Sequence, residues 1–160
     1  MKQTYIVALG VSLALSASLQ AQLPSQKVLT IEVAQAIAQE AMMKCRADGF
    51  KVVVSVVDAG GVLKAFLRDD GTANGMVQIV GMKINSVMAF GNPSGPPANL
   101  PAGAPVPPPF LPGTVNFMGA VPIKVDNKMI GAVGVSGAPG GDKDAACANF
   151  ALAKLADKLK

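Results

Sequence analysis

The sequence predicts an α+β domain, an antiparallel β-sheet with helices packed on it, in the order α-β-β-α-β-β-α. Two apolar stretches rich in β-branched residues are each broken by a short turn sequence, which predicts two β-hairpins. Three further stretches place apolar residues on one helical face, one before the first hairpin and one after each hairpin. The chain of 160 residues has about the length of one domain with a substantial core.

The first predicted helix covers about 31–48, with Thr30 as its N-cap and Gly49 just beyond its C-terminus. A hairpin over 52–69 follows, and its Asp-Ala-Gly-Gly turn contains two glycines that tolerate a positive φ. The first strand of this hairpin, 52–57, is apolar at nearly every position. That pattern is typical of a strand covered on both faces.

The second helix begins at Thr72 or Asn74 and ends at a Gly-Asn-Pro sequence. Residues 92–114 then hold most of the prolines of the chain, so they form neither helix nor central strand. A connection of this length inside a domain is usually functional or disordered. We expect an extended loop over the domain with Phe110 and Leu111 as anchors, or else a segment that docks a partner.

The second hairpin joins strands over 116–125 and 128–136 through an Asp-Asn turn. Pro122 restricts the first of these strands to a sheet edge or a bulge, because proline cannot donate to the ladder. The third helix has Asp142 as its predicted N-cap and an apolar face that extends to Leu159.

Residues 1–21 have the pattern of a secretory signal peptide. Lys2 gives a positive start, and the apolar stretch 6–15 is too short to span a bilayer. Small and polar residues lead to Ala21, and the alternative interpretation is an uncleaved anchor. Cleavage leaves a domain over 22–160 with no membrane span in an oxidising compartment, periplasmic or extracellular.

Two cysteines, Cys45 and Cys147, lie on predicted helices near an apolar face. They form one disulfide if their Cα atoms come within about 7 Å of each other. The alternative is a pair of buried free thiols that act as small apolar residues.

Composition excludes several classes of function. The chain has no histidine. This excludes three kinds of site, which are a Ser-His-Asp catalytic triad, a Cys-His nucleophile pair and a zinc site with histidine ligands. Aromatic residues make up 4%, so a base-stacking platform for single-stranded nucleic acid is not expected. The net charge of +4 is scattered, and no basic run suggests a nucleic-acid partner.

The most concentrated charges are Arg68, Asp69 and Asp70, at the junction of the first hairpin and the second helix. They form either a polar patch at a pocket mouth, where Arg68 grips a carboxylate, or an internally paired turn. Lys83 lies on the flank of the second helix, where its ammonium either reaches water or points at the end of the sheet beside Arg68. Ser136 ends a strand between glycines, with no base to make it a nucleophile.

These residues resemble the GlcG/HbpS family, whose haem-binding or haem-degrading domain also occurs at the C-terminus of PduO-type proteins. The resemblance covers about 28–160 and depends on the order of its motifs more than on any one of them. The matching motifs are Leu29-Thr30, Val56-Val57-Asp58-Ala59-Gly60-Gly61, Arg68-x-Asp70-Gly71, Lys83 with Ala89-Phe90-Gly91, Val121-Pro122-Ile123, Gly131 to Gly137, and Asp144-x-x-Cys147-Ala148.

The resemblance implies a profilin-like or PAS-like fold, assembly into homo-oligomers and haem as the cofactor. It carries over six ligand-binding positions, which are Arg68, Asp70, Lys83, Ser136, Gly137 and Asp144. In the absence of histidine, the candidates for the iron ligand are Met118, Cys147, Met76, Met82, Lys83 and Tyr5.

Three functions therefore follow as hypotheses. The first is an exported protein that binds haem or a related tetrapyrrole, in haem or iron handling or in redox sensing, with Arg68 and Lys83 pairing the propionates. The second is an accessory protein or enzyme that acts on a small carboxylate such as glycolate, with Arg68 binding the carboxylate and Lys83 as the candidate base. The third is a structural oligomer that docks a partner through its Pro-rich loop, 92–114.

Overall fold

A computed structural model describes residues 25–96, 100, 101, 103–105 and 111–160. Its order of elements confirms the predicted α-β-β-α-β-β-α pattern. The elements are α1 (Ile31–Ala47), β1 (Val53–Asp58), β2 (Leu63–Arg68), α2 (Gly75–Phe90), β3 (Ala120–Val125), β4 (Lys128–Ser136) and α3 (Gly141–Lys154), followed by a short 3₁₀ helix (Ala156–Lys158).

The four strands form one antiparallel sheet in the order β2-β1-β4-β3. The two hairpins meet at β1 and β4, where Val53 pairs with Ser136 and Asp58 pairs with Gly131. This places β1 in the interior of the sheet and β3 at its edge. Pro122 therefore lies on an edge strand, as predicted.

Helices cover both faces of the sheet. Helices α1 and α3 pack on one face, and α2 packs on the other, so β1 is buried on both sides as its sequence predicted. The larger core lies on the α1/α3 face. Its members include Ala34, Ile37, Ala38, Ala41, Val54, Val56, Val133, Val135 and Ala151.

A disulfide joins α1 to α3 between Cys45 and Cys147, whose Cα atoms are 5.6 Å apart. The predicted bridge is thus present. Because a disulfide sulfur is not the thiolate that binds metals, the alternative prediction of Cys147 as an iron ligand is wrong. Both residues are fully buried, so the bridge lies within the α1/α3 core.

The ends of the elements account for most errors of the sequence-based predictions. Helix α3 begins at Gly141, and Asp142 makes no N-cap bond. Instead the backbone N–H of Ala138 donates to Asp144 at 3.0 Å, which fastens the preceding turn to the helix. The α-helix ends at Lys154, but the predicted apolar face continues beyond it, because Leu155 is buried in the α1/α3 core and Leu159 packs against that core.

The strand predicted from residue 116 begins only at Ala120. Gly119 has a φ of 132°, outside the extended region, and the chain turns there before entering β3. Residues 116–119 consequently pass beside α2 and α3 rather than joining the sheet.

Polar contacts hold both ends of the Pro-rich loop, 92–114. The backbone N–H of Ser94 donates to the Ala120 carbonyl, and the backbone N–H of Ala120 donates to the Ser94 hydroxyl. The Ser86 hydroxyl donates to the Val115 carbonyl and accepts from the Val115 backbone N–H. Leu111 is 41% exposed, so the prediction that it anchors the loop is wrong, and Phe110 lies outside the described residues.

The predicted signal peptide, 1–21, also lies outside the described part of the chain. Among the described residues, no helix combines the length and the apolarity that crossing a membrane requires.

Candidate functional site

A cavity of about 710 Å³ opens between α2, the segment 115–118 and the turn that joins β4 to α3. Its volume lies within the usual range for small-molecule sites. Most of its walls are apolar, so it is called the apolar cavity below. The apolar walls include Met76, Ile79, Val115, Phe117 and Met118.

The turn after β4 forms one wall because glycine allows close approaches there. Gly137 has a φ of 133°, and a Cβ at this position would lie 2.5 Å from the carbonyl oxygen of Lys51. Any side chain at Gly137 would therefore displace the start of the first hairpin or open the wall. Ser136, just before the turn, is 2% exposed and also lines the cavity.

An ion pair forms the polar part of the cavity lining. The Lys83 ammonium donates to the Asp144 carboxylate at 2.8 Å and to the Val135 carbonyl at 3.0 Å. Both charged side chains are 3% exposed. Burial raises the pKa of Asp144, and hydrogen bonds from Lys83 and the Ala138 backbone partly oppose that effect.

The ion pair needs the glycine beside it. A Cβ at Gly119 would lie 2.6 Å from the Lys83 ammonium and 2.9 Å from the Asp144 Cβ. The prediction that Lys83 reaches water is wrong, because its ammonium is buried against α3. The alternative position at the end of the sheet is found, since the ammonium bonds to Val135, but its charged partner is Asp144 rather than a neighbour of Arg68. Since this charge is already paired, Lys83 contributes little net attraction for an anion in the cavity.

Two methionine sulfurs line the apolar cavity. Met76 is half-buried, and its sulfur accepts a hydrogen bond from the Ser136 hydroxyl at 3.5 Å. Met118 is 41% exposed at the opposite wall. Of the iron-ligand candidates from the sequence, Met76 and Met118 line this cavity with Lys83, and Met82 does not.

A second cavity, of about 700 Å³, adjoins the first. The two cavities share Met76, Gly137 and Ala138 as lining residues. Lys51 is the ionisable residue among the described residues that line the second cavity. Sequence reasoning missed Lys51, although its position directly before an apolar strand was a signal that it lies at the end of the sheet.

Arg68 and Asp70 line neither cavity. Arg68 donates to the Thr72 carbonyl and to the Asn74 side chain, and Asp69 accepts two bonds from Arg46 at 3.0 Å. The charged cluster is therefore not part of the cavity mouth, and its charges bond to the turn that follows and to Arg46 on α1 rather than to one another. The structure brings together Lys83, Ser136, Gly137 and Asp144, but it leaves the other two of the six predicted ligand-binding positions apart. Ligand binding by any of the six stays a prediction.

Comparison with known proteins places these features in a family. A family model described as haem degrading protein HbpS-like matches residues 29–153. A crystal structure of HbpS has 30% sequence identity and a TM-score of 0.72, and the match covers 87% of this chain and 98% of HbpS. A crystal structure of a Klebsiella pneumoniae protein, ORFY, has 26% identity and a TM-score of 0.72 over 86% of this chain and 98% of ORFY.

A crystal structure of a PduOC–heme complex shares the fold, with 21% identity and a TM-score of 0.67 over 79% of this chain and 94% of that chain. Comparison with curated protein sequences found no match. The family model spans most of the chain, in agreement with the resemblance carried by the sequence motifs. This chain belongs to the HbpS-like family, whose model is described as haem degrading.

Proposed function

We propose that this chain binds haem in the apolar cavity. One observation carries the proposal: a cavity with apolar walls and two methionine sulfurs occurs in a member of a family described as haem degrading. The PduOC structure of the same fold was determined with heme, which agrees with this proposal.

The residues present fit a haem group. The cavity volume of about 710 Å³ and its apolar walls suit a flat, largely apolar macrocycle. Haem iron accepts thioether ligands, and Met76 and Met118 offer them from two walls. When bound, haem would supply its iron for redox or oxygen chemistry. Ser136 would orient Met76 by its hydrogen bond to the thioether sulfur.

The geometry does not favour the predicted pairing of the propionates with Arg68 and Lys83. Arg68 bonds within its own turn, outside the cavity, and Lys83 already neutralises Asp144. The apolar cavity therefore holds the macrocycle, and the propionates need another partner.

We also propose that the protein is exported and acts on haem or iron, or senses redox state, outside the cytoplasm. The N-terminal pattern of residues 1–21 supports export. The disulfide between Cys45 and Cys147 supports it independently, because such bonds persist mainly in oxidising compartments. Homo-oligomer formation and docking through the Pro-rich loop stay expectations from the family resemblance and the sequence.

Action on a small carboxylate, with Lys83 as base, has less support. The Lys83 side chain donates hydrogen bonds to two acceptors, Asp144 and the Val135 carbonyl, whereas a general base must be free to take a proton from the substrate. The raised pKa of Asp144 arises from burial within this pair rather than from a second, cooperating acid.

A hemin titration of the purified protein tests the haem proposal. We expect a saturable shift of the Soret absorbance near one haem per chain, with a thioether–iron signature in the visible and magnetic circular dichroism spectra. Met76→Leu or Met118→Leu should remove that signature and weaken binding about tenfold, equivalent to ~1.4 kcal/mol. Leucine replaces the sulfur at nearly constant volume.

Met43→Leu is the matched control, because Met43 is 48% exposed on α1, across the sheet from the cavity. It should leave both the spectrum and the affinity unchanged. A response to hemin that never saturates in the wild-type protein would contradict haem binding at a defined site. Saturable binding that survives both cavity variants would reject the cavity as the site.

A further inference from the structure

The apolar cavity and the second cavity meet at Met76 but differ in charge. The apolar cavity is lined by two carboxylates, Asp142 and Asp144, and one ammonium, Lys83. An anion placed there meets an excess of negative charge, because Asp144 already neutralises Lys83. The second cavity is lined by Lys51 and by no carboxylate among its described residues.

The Lys51 ammonium is available for an anion. Its side chain is exposed, and it forms no ion pair within 4.0 Å among the described residues. Asp69, a carboxylate that interacts electrostatically with Lys51, is itself held by two hydrogen bonds from Arg46. Lys51 is therefore a positive charge in the lining of the second cavity that no ion pair among the described residues neutralises.

The Lys51 ammonium lies beside Gly71, which also lines the second cavity. The ammonium lies 3.2 Å from the position that a Cβ would take at Gly71, which has a φ of 77°. A side chain at Gly71 would crowd the Lys51 ammonium. The glycine therefore leaves space for the lysine side chain beside the turn that follows β2. Thr72 and Ala73, which follow this glycine, line the same cavity.

We propose that Lys51 is the anion-binding residue of the ligand site and that it pairs with a propionate of the bound haem. The apolar macrocycle occupies the apolar cavity, and its carboxylate side chain extends past Met76 into the second cavity. This inference rests on the proposed haem function. It identifies Lys51 as the partner of a propionate, a role for which Arg68 and Lys83 are not placed. The apolar cavity and the second cavity together therefore suit an amphipathic ligand, which has an apolar body and an anionic end.

The test compares hemin with hemin dimethyl ester, whose propionates carry no charge, on the wild-type protein and two lysine variants. Wild-type protein should bind hemin about tenfold more tightly than the ester, and Lys51→Met should remove that preference by weakening hemin alone. Lys51→Arg, which keeps the positive charge, should retain the preference. Added salt should reduce the preference in the wild-type protein, because the pair is partly exposed.

Lys128→Met is the matched control. Lys128 is an exposed lysine at the start of β4, about 26 Å of strand away from Ser136 at the cavity end. It changes net charge equally and should affect neither ligand.

If hemin fails to bind the wild-type protein saturably, the haem proposal and this inference fail together. If hemin binds but Lys51→Met behaves like Lys128→Met, the haem proposal stands and the assignment of Lys51 is overturned. Equal affinity of the wild-type protein for hemin and its ester would also overturn it. Because Lys51 is exposed, a far-ultraviolet spectrum and a thermal unfolding curve suffice to confirm that each variant is folded.

Discussion

The two faces of the β-sheet are built differently. On the α1/α3 face, a continuous apolar core packs between the sheet and two helices that a disulfide connects. On the α2 face, the apolar cluster has five buried members, and polar side chains are buried near it. These include Ser55, Lys83, Ser86 and Ser136. The contrast indicates that one face stabilises the fold, whereas the other leaves space for a ligand.

Strand β4 shows how one sequence serves both faces. Val133 and Val135 point into the α1/α3 core, whereas Ala132, Gly134 and Ser136 alternate with them and face α2. A Cβ at Gly134 would lie 2.8 Å from the Ile84 side chain. Small residues therefore let α2 approach the sheet closely, and the cavities open near the end of β4, beyond this contact.

Removal of the disulfide has the largest expected effect on stability. It tests whether the α1/α3 face stabilises the fold independently of ligand binding on the α2 face. The bridge spans 102 residues, and the double variant Cys45→Ala/Cys147→Ala should lose about 4–5 kcal/mol of unfolding free energy, chiefly because the unfolded chain gains freedom. Urea unfolding of oxidised wild-type and variant protein measures this loss. Hemin affinity under folding conditions should not change, and a parallel loss of affinity would contradict the separation of the two faces.

Breaking the buried ion pair tests the α2 side. Lys83→Met leaves Asp144 buried without its cation and should cost about 3–5 kcal/mol. The double variant Lys83→Met/Asp144→Leu removes both charges and should recover most of that loss. A double-mutant cycle by urea unfolding gives the coupling energy. If the double variant is as unstable as Lys83→Met, the cost comes from lost packing rather than from the unpaired charge.

Features that depend on residues close together in the chain were predicted well from the sequence. Thr30 caps α1 by accepting from Val33, and Asp126 and Asn127 adopt the positive φ values that their hairpin turn requires. Each depends on residues close together in the chain, so composition and spacing predict it. The burial of β1 was also predictable from its sequence, because a strand covered on both faces needs apolar residues at nearly every position.

The candidate site was less predictable, because it depends on contacts between distant residues. Lys83 and Asp144 are 61 residues apart, and nothing local to either one specifies the other. Helical spacing placed Lys83 at the flank of α2 but could not show that the first turn of α3 lies against it. The pairing of β1 with β4, which joins the hairpins and creates this arrangement, is likewise a long-range choice.

Gly134→Ala tests the close packing of α2 and has a smaller expected effect. The new methyl group would lie 2.8 Å from Ile84, so we expect a loss of about 1–3 kcal/mol through overpacking. Gly81→Ala, on α2, is the matched control, since a Cβ at Gly81 meets no atom within 4 Å outside its own stretch of helix. It should stabilise the protein by up to ~1 kcal/mol through helix propensity. Equal effects of the two variants in thermal unfolding would contradict the proposed contact.

The smallest effects concern two carboxylates whose pKa values move in opposite directions. Burial raises the pKa of Asp144, whereas hydrogen bonds from Arg46 lower the pKa of Asp69, which lies in the surface turn. A lowered pKa means that the folded protein releases the proton more readily than the unfolded chain. Asp69 therefore contributes stability above its usual pKa of 3.8, and that contribution is lost as the pH falls through the lower, folded-state value.

Asp144 should show the opposite slope, because the folded protein binds its proton more tightly than the unfolded chain does. Relative to Asp144→Asn, the wild-type protein should lose stability as the pH rises above 3.8, until the pH passes the raised pKa. Relative to Asp69→Asn, it should lose stability as the pH falls below 3.8. Urea unfolding of the three proteins at a series of acidic pH values measures both slopes. Slopes of the same sign would mean that Asp144 behaves like Asp69, and that the Lys83 ion pair outweighs the cost of burial.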